Sequence, residues 1–423
     1  MRIFKFGGAS VKDADGVRNV CNIIKNAETP LVVVVSAMGK TTNALEELVD
    51  AYVSGSESGK ISGIGKIRKA HQQVVDDLFG SDRRFQPVFD TLFARLQLQL
   101  AKQPSLNYDF DYDRIVSFGE ILSTSIVCEF LNYSHVHTQW VDIRPVLKTD
   151  ENYRNPSVLW DLTSTFVAGT FSFPQGTTRY LTQGFIGSTI NNLTTTLGRE
   201  GSDYTAAILG HILNAENVTI WKDVPGVLSA DPRWYPKAVK LSRISYWEAI
   251  ELTYHGAQVI HPKTLKPLQN KGIPLWVKSF VDPMLEGTIV CHLEQDTMPC
   301  PVFILKKDQL FLTISPRDFS FIVEDNLSDV FAIFGQQKLA INLMQKSALN
   351  FSVCIDKTRN IADLIKQLEE RYTVRYNDDV ELVTIRHYTS DSIREITSQK
   401  EIIDSQITRK SAMYVVKRSG WKF

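Results

Sequence analysis

The sequence predicts an α/β protein with a mostly parallel sheet covered by helices on both faces, followed by a smaller α+β region. Three observations predict it. Short runs rich in Val, Ile and Phe alternate with longer segments of helical period, which is β-α-β order. Those runs are nearly continuous in apolar residues, as strands buried on both faces are. After "GTIVC" (287–291) the character changes to short alternating strands, and the domain boundary is placed near residue 294.

Taken in order, "RIFKF" (2–6) reads as a strand and "GVRNVCNIIKNA" (16–27) as a helix. "LVVVV" (31–35) is a fully buried strand, and "TNALEELVDAYV" (42–53) is again a helix. "SGSESGKISGIGK" (54–66) reads as a small-residue linker, followed by helices around 65–79 and 86–102. Its "GSESGK" looks like a phosphate loop, but it has three residues between the glycines, Ile61 after Lys60, and no strand before it, so that reading is rejected. Further strands are expected at "RIVSF" (114–118), "HTQWVD" (137–142), "RYLTQGFIG" (179–187) and "NVTIWKD" (217–223), with "IPLWVKS" (273–279) as the last core strand. In the tail, "QLFLTIS" (309–315), "NFSVCID" (350–356) and the helix "IADLIKQLEERY" (361–372) follow the pattern of ferredoxin-like β-α-β-β-α-β modules.

Composition narrows the functional classes. The 423 residues carry 47 Lys plus Arg and 47 Asp plus Glu, a net charge of zero. A balanced chain has no basic footprint, so neither nucleic acid nor an anionic membrane is expected as a partner. Five scattered cysteines with no C-x-x-C pair indicate neither a zinc site nor a disulfide framework. "MRIFKFGGAS" has no apolar signal region, and "LVVVV" is too short to span a bilayer, so a cytoplasmic location is expected.

Several strand ends carry groups that turn chemistry alone does not use. In "KFGGAS", Lys5 ends a strand, and Gly7 and Gly8 let backbone N–H groups approach an anion closely. "VVVVSAMGKTTNAL" supplies Ser36 and Thr42, which plain helix capping would also explain. "SFGEILSTSIV" places Glu120 in a first helical turn, where an acid suits the dipole or receives an ammonium group. "LGREGSDYTAAILG" crowds Arg199, Glu200 and Asp203 at a helix mouth. In "WKDVPGVLSADPR" (221–233) the turn is explained by V-P-G, whereas Lys222, Asp223 and Arg233 are surplus and could line a nucleotide pocket.

No one of these segments is specific, but their order and type are. "KFGGAS", "VVVVSAMGKTT", "SFGE", "TTTLGREGSDYTAA", "WKDVPGVLSADPR" and "GAQVIHPKTL" resemble the successive motifs of aspartate kinases, in the amino acid kinase superfamily. The resemblance covers roughly residues 2–291 and implies a three-layer α/β sandwich with a substrate lobe and a nucleotide lobe over 1–294. The tail, 295–423, resembles the ACT-type regulatory region of these enzymes, with the second module shortened.

The family moves the γ-phosphoryl group of MgATP to the β-carboxylate of L-aspartate, giving 4-phospho-L-aspartate for lysine, methionine and threonine synthesis. By resemblance, Lys5 contacts the transferring phosphates with the Gly7 and Gly8 amides, and Asp203 orients Lys5. Arg199 takes the substrate α-carboxylate, Glu120 its α-ammonium, and Ser36 and Thr42 its side chain. Lys222, Asp223, Arg233 and Gln258 match nucleotide positions, and magnesium is expected on the phosphates rather than in a protein metal site. A non-catalytic sensor would have little reason to keep these groups together. Three residues depart from the pattern: Glu200 stands where many members have glycine, Gln258 where lysine is frequent, and Leu228 where some have tyrosine. Lys263 is a nearby charge that could compensate.

In the tail, "PVFILKK" (301–307) is expected to join the second module, together with strands at 380–388 and 412–418 and a helix over 390–406. Asn342, in "LAINLMQKS" with Ser347, stands where lysine-inhibited relatives often carry Asp. Feedback inhibition is therefore expected to be weak, altered or absent. A homodimer through the ACT region is expected by the same resemblance.

Overall fold

The computed structural model describes residues 1–173, 179–257, 260–294, 298–318, 320–358 and 361–421. The chain divides into two compact units. The first comprises Met1–Val227, Ser242–Ile250 and Ile260–Glu294; the second comprises Leu228–Leu241, Glu251–Val259 and Gln295–Phe423.

The chain begins with β1 (Arg2–Phe6), α1 (Ala14–Lys25), β2 (Leu31–Val35) and α2 (Thr41–Val53). Four helices follow: α3 (Glu57–Phe79), α4 (Gln86–Leu100), α5 (Tyr108–Val116) and α6 (Phe118–Tyr133). Next come β3 (Gln139–Val141), α7 (Trp160–Thr170), β4 (Arg179–Gln183), β5 (Ile186–Ser188), β6 (Thr194–Thr196), α8 (Gly201–Ile212) and β7 (Asn217–Lys222). The elements β8 (Arg243–Ser245), α9 (Tyr246–Tyr254), α10 (Pro262–Lys271), β9 (Leu275–Ser279) and β10 (Thr288–Cys291) complete this part. Eight strands form one sheet in the order β3-β4-β2-β1-β7-β9-β10-β8, parallel except where β10 meets β9. β1 lies between β2 and β7 with Phe6 opposite both Val35 and Trp221, so the carboxyl ends of three strands are level at one edge. Every residue of β2 is buried, which is why that strand reads as a pure aliphatic run.

Three expectations fail here for identifiable reasons. The small-residue stretch 54–66 is helix, not linker: Ser56 Oγ accepts from Gly59 N at 3.2 Å and starts α3. Two of its glycines serve helix packing against α2: a Cβ on Gly59 would lie 2.9 Å from Ala51 Cβ, and one on Gly63 3.0 Å from Leu48 Cδ1. "RIVSF" is the joint between α5 and α6, two helices buried on most sides, and a short apolar run cannot distinguish such a helix from a strand. Residues 108–133 are long and apolar enough to cross a membrane by length and composition, yet 83% of the apolar window is buried inside the protein, as a core helix is. Finally, β9 is not the last strand of this sheet, because β10 pairs with it and with β8.

The second unit contains β11 (Val302–Pro316), α11 (Glu324–Gln336), β12 (Ile341–Lys346), β13 (Phe351–Asp356) and α12 (Ile361–Glu369). It continues with β14 (Tyr372–Arg386), α13 (Ser390–Thr397), β15 (Ile402–Ile407) and β16 (Ser411–Lys417). These strands form one six-stranded antiparallel sheet, β12-β13-β11-β14-β16-β15. The runs 301–307 and 309–315 are a single strand, β11, whose pairing with β14 shifts register around Lys306 and Gln309. One cluster, including Leu312, Phe334, Val353 and Leu364, packs α11 and α12 on the sheet; another, including Ile385, Ile396 and Tyr414, packs α13. The helix expected over 390–406 ends at Thr397, and 402–407 is an edge strand.

Candidate active site

The carboxyl edge of the parallel sheet opens into a cavity of ≈ 600 Å³, within the first unit, where open α/β sheets hold ligands. Lys5, Gly7, Gly8, Ser36, Thr42, Glu120, Arg199, Asp203, Lys222 and Asp223 all line it, from five different segments of sequence. Arg233 does not: its guanidinium forks onto Asp231, with Nη2 to Oδ2 at 2.6 Å. Gln258 lies outside the described residues.

β1 delivers Lys5, and α8 delivers Asp203 from its first turn; Lys5 Nζ lies 2.6 Å from Asp203 Oδ1, with side chains 12% and 4% exposed. A nearly buried ammonium on a buried carboxylate is held in one place, so the pair acts as a fixed cation at the phosphate end. Beyond Lys5 the chain turns through Gly7 and Gly8 into a 3-10 turn. A Cβ on Gly8 would sit 2.7 Å from Ala37 O, so only glycine allows the β1 and β2 loops to meet as they do. Gly39 N donates to Gly8 O at 3.0 Å and ties the two loops together.

α6 brings Glu120 under the floor. Its Oε1 accepts from Ala37 N at 3.2 Å, while its Oε2 is buried with no hydrogen-bond partner. Burial pushes this carboxyl up to about 8, the Ala37 amide and the Lys5 charge opposing it only in part. A buried acceptor without a donor costs free energy unless a ligand supplies the donor. Across the cavity Arg199 is exposed and forms no ion pair among the described residues.

The turn that carries Arg199 is braced on both sides. Asp113, fully buried on α5, accepts from Thr196 N and Arg154 N, each at 2.9 Å, and from the Thr196 hydroxyl. Desolvation raises its carboxyl to about 6 in spite of these bonds. On the other side, Glu200 adopts φ 53°, a left-handed conformation, and its Oε2 accepts from His261 N at 2.8 Å. Glycine would suit that φ; here glutamate accepts the strain and gains a tether to the start of α10. Lys263 Nζ donates to Asn155 Oδ1 and does not line the cavity.

Sequence reasoning missed a wall of this cavity. Tyr112 Oη donates to Glu46 Oε1 at 2.6 Å, and the Arg154 guanidinium lies 4.3 Å from the Tyr112 ring centroid while pairing with Asp109 at 3.1 Å. The available signal was "YDFDYDR", where acids interrupt an apolar pattern and Asp113 has no surface role. Asn342 and Ser347 belong to the second unit. Asn342 Oδ1 accepts from Lys306 Nζ at 2.7 Å, and its Nδ2 donates to Gln309 and Asp356 at 2.8 and 2.9 Å. Ser347 closes the β12–β13 hairpin, with its N donating to Asn350 O at 2.8 Å. Leu228 forms a backbone bridge with Lys240 and does not line the cavity among the described residues.

The sequence pattern described as the amino acid kinase family matches residues 1–279, so the chain belongs to that family of α/β kinases. The lysine-sensitive aspartokinase 3 of Escherichia coli is 32% identical over 84% of this chain and 78% of its own length. Aspartokinase 1 of Arabidopsis thaliana, a chloroplast protein, is 30% identical over 90% of this chain and 68% of its own. Within the family the chain is thus an aspartate kinase. The crystal structure of E. coli aspartokinase III in complex with lysine and aspartate matches with a TM-score of 0.81, at 26% identity over 99% of this chain and 96% of that one. The structure of the same enzyme with aspartate and ADP matches with a TM-score of 0.80 at 26% identity, over 99% and 96% of the two chains. The match runs through the antiparallel tail as well as the parallel-sheet unit, since it covers 99% of this chain.

Proposed function

We propose that this cavity transfers the γ-phosphoryl group of ATP to the side-chain carboxylate of L-aspartate, giving 4-phospho-L-aspartate and ADP. The observation that carries the reading is the pairing of the unpartnered buried Glu120 Oε2 with the unpaired Arg199 in the cavity that holds the Lys5–Asp203 pair. A carboxylate and a guanidinium facing one space recognise the two ends of an α-amino acid. Glu120 takes the α-ammonium, becoming fully ionised as it does so, and Arg199 takes the α-carboxylate. Ser36 and Thr42 then stand beside the side-chain carboxylate.

The carboxylate oxygen attacks phosphorus, and the bond to the ADP oxygen breaks in line. No proton has to leave the nucleophile, so the burden falls on positioning and charge neutralisation. Lys5, fixed by Asp203, neutralises charge on the moving phosphoryl group, and the Gly7–Gly8 turn offers backbone donors to its oxygens. Lys222 and Asp223 serve the nucleotide. Among the described residues no cluster of three or more His, Cys, Asp or Glu could hold a metal. By the family resemblance a magnesium ion would ride mainly on phosphate oxygens and supply further neutralisation of the phosphates, with the Asp223 carboxylate as an oxygen donor suited to it.

We further propose residues 1–294 as the catalytic domain and 295–423 as an ACT-type regulatory region, in a cytoplasmic homodimer joined through that region. The site reading is tested by trapping the acyl phosphate with hydroxylamine in the presence of MgATP and L-aspartate. The wild type should yield the hydroxamate; at matched, sub-saturating aspartate Lys5→Ala and Arg199→Ala should yield far less, and raising aspartate should restore product in Arg199→Ala but not in Lys5→Ala. No product from the wild type sinks the reaction; full product from both variants sinks the residue roles.

A further inference from the structure

The first unit has a second cavity, of ≈ 380 Å³, whose lining is as one-sided as that of the reaction cavity is mixed. Four cations face it, Arg95, Lys102, Arg114 and Arg144, together with Gln99 and Thr194, and no carboxylate lines it among the described residues. Arg144 is forked onto Asp142, with Nε to Oδ1 at 2.9 Å and Nη2 to Oδ2 at 2.6 Å. Arg114 gives its Nη2 to Asp111 and Tyr52 at 2.7 and 2.8 Å, but its Nε is buried without a partner. The buried Oε1 of Gln99 is likewise unpartnered, and Arg95 and Lys102 form no ion pair among the described residues. Like charges around one small space repel, and a buried N–H left unused costs stability. Both debts are settled by one kind of occupant, an anion with several acceptor oxygens.

We propose that this cavity binds a small oxyanion of the phosphate class, as free phosphate or a phosphate monoester. Planar guanidinium groups suit tetrahedral oxyanions through parallel N–H bonds, the Thr194 hydroxyl adds a neutral donor, and the orphaned Gln99 Oε1, an acceptor, can take the proton of a hydrogen phosphate. Leu98 and Phe118 form the apolar part of the lining, which leaves room for the short carbon chain of an ester. The site adjoins the reaction machinery through the chain itself. Arg114 follows Asp113, Thr194 lies two residues before Thr196 on β6, and Phe118 lies two residues before Glu120 on α6.

Calorimetry at constant ionic strength, with inorganic phosphate and glycerol 3-phosphate as probes, tests the assignment. The wild type should show saturable binding to one such site, and Lys5→Ala should retain it, because Lys5 belongs to the other cavity. The double variant Arg95→Ala/Lys102→Ala, whose residues lie outside the reaction cavity, should keep its basal turnover and bind at least about tenfold more weakly. Tighter binding of the ester than of phosphate identifies the monoester as the ligand; equal binding identifies free phosphate. The proposal is overturned by no saturable binding to the wild type, by unchanged affinity in the double variant, or by loss of all binding in Lys5→Ala.

Discussion

The two units treat the polar groups at their sheets in opposite ways. At the carboxyl edge of the parallel sheet, Glu120 keeps one oxygen unpartnered and Arg199 forms no ion pair among the described residues. In the antiparallel sheet, Lys306, Asn342, Gln309 and Asp356 are bonded to one another. The difference teaches where each unit expects a partner. Unsatisfied groups persist in a fold when a ligand completes them, whereas a closed network has nothing left to offer without first breaking.

The contrast can be broken or sharpened by experiment. If the open edge is the reaction site, Lys5→Ala should lower kcat by about 10²–10³, the effect of removing a preorganised charge from a transition state. A loss under tenfold would put the phosphoryl group elsewhere. Arg199→Ala should raise the KM for aspartate by about 10- to 100-fold with a smaller change in kcat, since a charged hydrogen-bonding pair to substrate is lost; an unchanged KM would leave the α-carboxylate without its partner.

Glu120 gives a sign that can be checked. Its folded carboxyl titrates near 8, above its usual 4.5, so folded and unfolded chains differ in protonation between those values. The unfolded chain ionises first, so Glu120 lowers stability progressively as pH rises from about 4.5 to about 8. Glu120→Gln should therefore melt at the same temperature as wild type near pH 4.5 and a few degrees higher, about 2–4 °C, near pH 8, while losing aspartate binding. A lower melting temperature at pH 8 would contradict the burial argument.

Glu200→Gly should change stability by less than about 1 kcal/mol, because relief of the left-handed strain offsets the lost bond to His261. Chemical denaturation checks this, and a larger loss would make the tether more than local. Least of all should the closed network respond: millimolar lysine or threonine is expected to change turnover by less than about twofold, the cost of opening Asn342 from Lys306 being charged against any effector. Strong inhibition in a steady-state assay would show that the network opens readily.

Much of this was legible in the sequence, and the failures have physical causes. β2 was readable because a strand buried on both faces is apolar without interruption, β1 because only Lys5 breaks its apolar run after Arg2, and the order of motifs gave the cavity residues from five of them. "RIVSF" was misread because a helix with few exposed positions loses its 3.6-residue period. Residues 54–66 were misread because glycines that let α2 and α3 approach look, in sequence, like glycines that let a chain bend. Arg154, Glu46 and Tyr112 were invisible because their importance lies in a fold-dependent meeting of α2, α5 and a loop. Glu200 was visible as an anomaly, and its explanation needed the His261 amide 61 residues away.

The length of β11 and β14 has one more consequence. Each runs 15 residues, and between them they pair with every other strand of the six-stranded sheet except the two edges. Both halves of the unit are thus built on the same two strands, so neither half can melt while the other keeps its hydrogen-bonding partners. Such a unit should lose structure in a single cooperative transition, and a mechanical perturbation at either end is felt at the other through continuous peptide chain, with no interface in between to slip.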